Sequence, residues 1–139
     1  MHYQIKIELL DVEPSIWRRV LVPSQFTLFD LHDVIQTAMG WEDCHLHDFT
    51  IKRQRYTTPH VEDYDGPRDE RDVRLCDVVR SRSKFLYQYD FGDSWNHSLL
   101  VERVVDDAAL AVLFALMEHA RARLKTAAAR GVMQINCAP

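Results

Sequence analysis

The stretch FLYQYDFGDSWNH, Phe85–His97, decides how this chain is read. Phe85, Tyr87, Tyr89 and Phe91 alternate with Lys84, Leu86, Gln88 and Asp90. Beyond the centre, Trp95, His97, Leu99 and Val101 alternate with Asn96, Ser98, Leu100 and Glu102. A period of two on both sides marks two strands, each with one buried face. A turn at Gly92-Asp93-Ser94 sets Tyr89 opposite His97 and Tyr87 opposite Leu99. Both apolar sets then share a face, which a slip of one residue would destroy. Such a turn needs positive φ, supplied by Gly92 or Asp93. The embedded Asp90-Phe91-Gly92 matches the magnesium-holding tripeptide of protein kinases. The chain has no Gly-rich loop, no VAIK-like lysine and no HRD, so the tripeptide reads as a hairpin turn.

Outward from the hairpin, the same logic places the other elements. Tyr3, Ile5, Ile7 and Leu9 alternate with His2, Gln4, Lys6 and Glu8, a half-buried strand. DVEPS turns the chain, and IWRRVLV, Ile16–Val22, returns as a second strand stopped by Pro23. TLFDLHDVIQTAMG is a helix capped by Thr27, with Asp30 in the capping-box position and Gly40 as a left-handed stop. Leu28, Leu31, Val34, Ile35 and Ala38 form its expected apolar face, with His32 and Asp33 on the polar side. In CHLHDFTIKRQRY, His45, His47, Phe49 and Ile51 share one strand face. TTPHVEDYDGPRDERD is an acidic loop without periodicity, and its EDYDG lacks the ligand spacing and closing glutamate of an EF-hand. DVRLCDVVR reads as a short helix capped by Asp72. From Asp106 an Ala- and Leu-rich helix is expected, ended by Gly131 and basic in its second half.

Length and charge narrow the classes. The 139 residues suit one domain with a modest core. A net charge of −4 speaks against a broad basic face for nucleic acid. The tail from Asp106 carries four basic and three acidic residues, which leaves the first 105 at −5. Cys44, Cys76 and Cys137 are widely spaced and odd in number, neither a disulfide framework nor a zinc ribbon. A reduced, cytoplasmic setting follows. The first residues do not read as a signal peptide, and no stretch approaches the roughly 20 apolar residues of a membrane span.

IWRRVLVP, TLFDLHDVIQTAMGW, HLHDF, DVRLCDVV and FLYQYDFGDSWNHSLLVE, in this order, resemble the plasmid pRiA Orf-three-like family. That family is carried on plasmids, in insertion sequences and on prokaryotic chromosomes, and some members are labelled transposon passenger proteins of a TnpR type. The resemblance covers about residues 3–105 and implies an α+β fold with an antiparallel sheet. It implies no biochemical activity. Residues 106–139 depart from the family, which continues with a Cys-, Gly- and Trp-rich segment. A serine recombinase needs an activated serine, clustered arginines and a basic segment. Arg18 and Arg19 point to opposite faces of their strand, and no such constellation is seen.

The sharpest chemical candidate is a set of His45, His47, His97 and Asp93, which suits a divalent transition metal if the strands bring it together. The alternative is that His47 and His97 are hydrogen-bonded core residues beside Trp41, Tyr89 and Trp95. No cofactor is otherwise implied. Arg18, Arg19, Trp41 and Trp95 are candidates for a ligand or partner surface. The expected fold is a single α+β domain. Its antiparallel sheet of about five strands (near 2–10, 15–22, 46–52, 84–91 and 95–105) is covered by a 27–39 helix and a 107–129 helix. The leading function is a non-catalytic binding or adaptor domain associated with plasmids and mobile elements. A small metal-dependent hydrolase and a nucleic-acid-binding accessory protein are the alternatives. The expected partner is a protein, or a second copy through the C-terminal helix.

Overall fold

The computed structural model describes residues 1–59 and 66–106. Period-two alternation builds β1 (His2–Leu9) and β2 (Ile16–Pro23), and helical spacing builds α1 (Leu28–Met39). The chain continues through β3 (His47–Ile51), β4 (Gln54–Thr57), β5 (Arg68–Asp69), a 3-10 turn (Glu70–Asp72) and α2 (Leu75–Val78). It closes with β6 (Lys84–Tyr89) and β7 (Trp95–Val105). Among the described residues these strands form one seven-stranded sheet, ordered β2-β1-β7-β6-β3-β4-β5. It is antiparallel except where β4 meets β5. This is a single α+β domain, with two strands more than the sequence reading expects. The 107–129 helix of that reading lies outside the described residues.

The central hairpin forms two residues out of its expected register. Tyr87 faces His97 and Tyr89 faces Trp95. The loop runs from Asp90 to Ser94, and positive φ falls on those two residues rather than on Gly92 or Asp93. Asp90 Oδ1 accepts from the Gly92 N–H at 3.1 Å, so a side chain takes over part of the turn. A shift of two keeps every side chain on its face, so the alternation cannot distinguish the two registers. The additional strand β4 arises from a two-residue turn at Lys52 and Arg53, both at positive φ. Asn-Gly would announce such a turn; Lys-Arg does not.

Helix α1 begins as its sequence dictates. The Asp30 N–H donates to Thr27 Oγ1, the Thr27 N–H donates to Asp30 Oδ2, and Gly40 closes the helix at φ 76°. Its buried face is Leu28, Leu31, His32, Ile35, Gln36 and Met39. His32, expected on the polar side, is therefore in the core. At about 100° per residue His32 falls only about 40° from Leu28. Leu28, Leu31 and Ile35 pack with Ile5, Ile7, Phe49, Phe85, Leu99 and Val101. Asp72 does not cap a helix. It lies in the 3-10 turn, which Asp69 caps, and extended Val73 separates that turn from α2. A bridge between Thr27 and Arg74 holds this segment beside the start of α1.

A Cβ on Gly40 would meet no heavy atom within 4 Å, so Gly40→Ala tests backbone conformation alone. The expected loss is about 1 kcal/mol, read from urea unfolding, without change in secondary-structure content.

Candidate functional site

The helix-covered face of the sheet holds a chain of polar groups inside the core. Gln36 sets its direction. The Asp43 N–H donates to Gln36 Oε1 at 2.8 Å, so Gln36 Nε2 is free to donate to the Tyr87 hydroxyl, also at 2.8 Å. The Tyr87 oxygen is thereby an acceptor, and its own proton goes to His32 Nδ1, 2.7 Å away. His32 must then carry its proton on Nε2, where it donates to Asp43 Oδ1 at 2.8 Å. Every group in this chain has a partner, as burial requires. Burial, and then the proximity of His47, hold His32 below its ordinary range, against the pull of Asp43. Burial holds the Tyr87 hydroxyl well above its own.

A second histidine and carboxylate pair lies against the first. His47, the first residue of β3, stacks on His32 with centroids 3.5 Å apart and planes 9° from parallel. Its Nε2 donates to both oxygens of Glu70 at 2.6 and 2.8 Å. Glu70 is 0% exposed and also accepts from Thr58 Oγ1 at 2.7 Å. Asp43, by contrast, is 54% exposed at its side chain, so the cluster reaches solvent at one end.

Among the described residues, His32, Asp43 and His47 are the group whose ligand atoms all lie within 4.8 Å of one another. The donor types suit zinc, manganese or iron. The geometry does not. Parallel stacked imidazoles point their lone pairs side by side, whereas a metal needs them to converge. Binding through His32 Nε2 would also move the His32 proton to Nδ1 and leave the Tyr87 hydroxyl proton without its acceptor. The arrangement is a satisfied hydrogen-bond network of two histidine–carboxylate pairs.

The residues singled out from sequence do not come together as a foursome. His97 is buried beside Tyr87, its Nδ1 donating to the Tyr87 carbonyl and its Nε2 accepting from Trp41 Nε1, both at 3.2 Å. Both ring nitrogens are thus occupied, and burial pushes His97 down to about 4. His45 precedes β3 rather than sharing its face. It is exposed beside Tyr89, 3.6 Å from Asp90. Asp93 is exposed at the hairpin tip. Trp41 is in the core and packs on half-buried Trp95 at 5.6 Å. Arg18 and Arg19 are both exposed on β2; Arg19 forms a two-pronged pair with Glu102 at 2.6 and 3.1 Å. Sequence reasoning missed His32, Asp43 and Glu70. The helical wheel marks His32, while Glu70 carries no local signal inside its acidic stretch.

An α+β domain with a mostly antiparallel sheet and a polar network under its long helix is the class this geometry defines. The chain belongs to the plasmid pRiA4b ORF-3-like protein family, whose profile matches residues 1–125. The match runs beyond residue 105, where the resemblance in the motifs ends. The chain is similar to the uncharacterized protein y4hQ of Sinorhizobium fredii, with 43% identity over 102 residues, 72% of this chain and 53% of that protein. It is also similar to the crystal structure of a protein of unknown function, MM3350 from Methanosarcina mazei Go1. There the TM-score is 0.67 and the identity 34%, over 73% of this chain and 60% of that one. The chain thus spans about half the length of the curated relative it matches. No helix among the described residues is long and apolar enough to cross a membrane.

The pH dependence of stability follows from the buried rings. His32 and His97 are held neutral, so the unfolded chain takes up protons near 6.5 while the folded chain does not. Stability is therefore full above pH 6.5 and falls as the pH drops toward about 4, where His97 protonates in the fold. His97 alone accounts for about 3 kcal/mol of that loss. Urea unfolding across this range checks the slope. An imidazole signal of His97 that titrated near 6.5 in the folded protein would overturn the assignment.

Proposed function

We propose that this chain is a non-catalytic binding domain associated with plasmids and mobile elements, and that it meets a protein partner along β2. The observation that carries the reading is a division of labour between the two sides of the sheet. On the helix side, the histidines and carboxylates are spent on one another. On the other side stands Trp17, 42% exposed on an edge strand. Lys6 Nζ lies 5.1 Å and the Arg19 guanidinium 5.2 Å from the centroid of its ring. An exposed tryptophan braced by two cations is a rigid, amphipathic contact of the kind that dominates binding surfaces. The association with mobile elements rests on the family alone.

The hydrolase alternative needs His45, His47, His97 and Asp93 to converge, and His97 has neither ring nitrogen to offer. The nucleic-acid alternative has little support from the −5 balance of the first 105 residues and from Arg19, whose charge is matched by Glu102.

Metal analysis of the protein, purified without chelator, tests the reading together with two variants. The expected result is a metal content well below stoichiometric in the parent and in His47→Ala. Glu70→Ala, which strands buried His47 and Thr58, is expected to cost about 3 kcal/mol of stability. Near-stoichiometric metal in the parent, lost in His47→Ala, would replace the binding-domain reading with a metal centre.

A further inference from the structure

Among the described residues, β2 is the long edge strand of the sheet. All eight of its residues pair with β1, from Ile16 against Leu9 to Pro23 against His2. Its other side pairs with no described residue, because β2 ends the strand order. An edge strand presents alternate N–H and C=O groups to solvent, a template for one more strand. The opposite edge, β5, has only two residues. The charges of β2 are both positive. Arg18 projects on the side of Ile7 and Arg19 on the side of Lys6. Among the described residues the Arg18 guanidinium has no carboxylate partner; it donates to the carbonyl of Trp17 at 2.9 Å. Glu8 lies across from Trp17, and Glu102 is held by Arg19 and Gln4.

From this pattern we infer that β2 accepts an extended acidic peptide segment of a partner protein as an eighth strand. The inference rests on the binding-domain reading above and names the chemistry of its partner. Main-chain hydrogen bonds to β2 supply the attachment. Side chains alternate across a strand, so carboxylates on one side of the incoming segment meet Arg18, while apolar residues on the other side lie toward Trp17, on the face where Arg19 is already matched by Glu102. Trp17 supplies an apolar plane for them. A second copy of this chain fits less well. Two β2 strands paired about a two-fold axis perpendicular to the sheet set Arg18 against Arg18, or Arg19 against Arg19, in two of the three central registers. Like charges directly opposite are destabilising.

The test uses a synthetic peptide alternating glutamate and valine, of about eight residues to match the edge. The control carries lysine in place of glutamate. The full chain is titrated with each, and backbone amide exchange is followed. The expected result is binding of the acidic peptide with alternate amides of 16–23 slowed. Affinity should fall at least about threefold between roughly 0.05 and 0.5 M salt. Arg18→Glu should weaken binding about tenfold. Lys84→Glu, the same charge change three strands away, should leave it within about twofold. Three outcomes overturn the inference: equal binding of the lysine peptide, no slowing in β2, or slowing in β2 that grows with protein concentration alone, which marks self-pairing. Failure here with metal-free protein removes the acidic strand and leaves a binding domain. Stoichiometric metal removes the broader reading instead.

Discussion

The hydroxyl of Tyr87 is the atom on which the rest of the domain depends. It sits in the middle of the sheet, on β6, and is bound by two residues of α1, Gln36 and His32. A buried hydroxyl with one donor and one acceptor need is costly to leave unmatched, at about 1–3 kcal/mol. Both needs are met only when α1 lies at one rotation and one height over the sheet. Apolar contacts of Leu28, Leu31 and Ile35 are non-directional and would tolerate a small roll of the helix. The hydrogen bonds do not. The same chain extends to Asp43, whose backbone and side chain both close back on it. It therefore also fixes the loop after Gly40.

Two histidines stacked under a helix, each with a carboxylate, look at first like chemistry. Their hydrogen bonds form a satisfied network. Once Gln36 is oriented by the Asp43 N–H, every proton in the first pair has one place to be. The second pair is sealed around Glu70, whose carboxylate receives His47 and Thr58. A polar network of this kind narrows the set of packings the core can adopt, because a misplaced neighbour leaves a charge or a hydroxyl unpaired. The surface of this sheet is uneven. One edge is reduced to two residues; the other runs for eight with an exposed tryptophan and two arginines.

Much of this was legible along the chain, and the exceptions have separate causes. The capping box of Thr27 and Asp30 and the left-handed Gly40 form as their types require, since both are local. The hairpin faces follow from alternation, but its register does not, because a shift of two residues preserves every inside and outside position. Strand β4 was hidden by a turn of two residues in the left-handed region that are neither glycine nor asparagine. His32 was misassigned by polarity, although its angle on the helix placed it among the leucines. Glu70 could not be found at all: an acidic residue in an acidic loop has no period, and its burial depends on a histidine 23 positions earlier.

The amino-acid sequence by itself determined the family, the strands with their buried faces and the ends of the long helix. Each of these depends on residues close together in the chain, where periodicity and capping act. Tertiary structure alone decided which polar residues meet. Hydrogen-bond partners are chosen by distance and angle, and the pairs that matter here join α1 to β6, β3 to the 3-10 turn and β2 to β7. For that reason His97, which sequence offered as a ligand, became a core residue locked by Trp41 and a carbonyl, while His32 and Glu70 came to organise the interior.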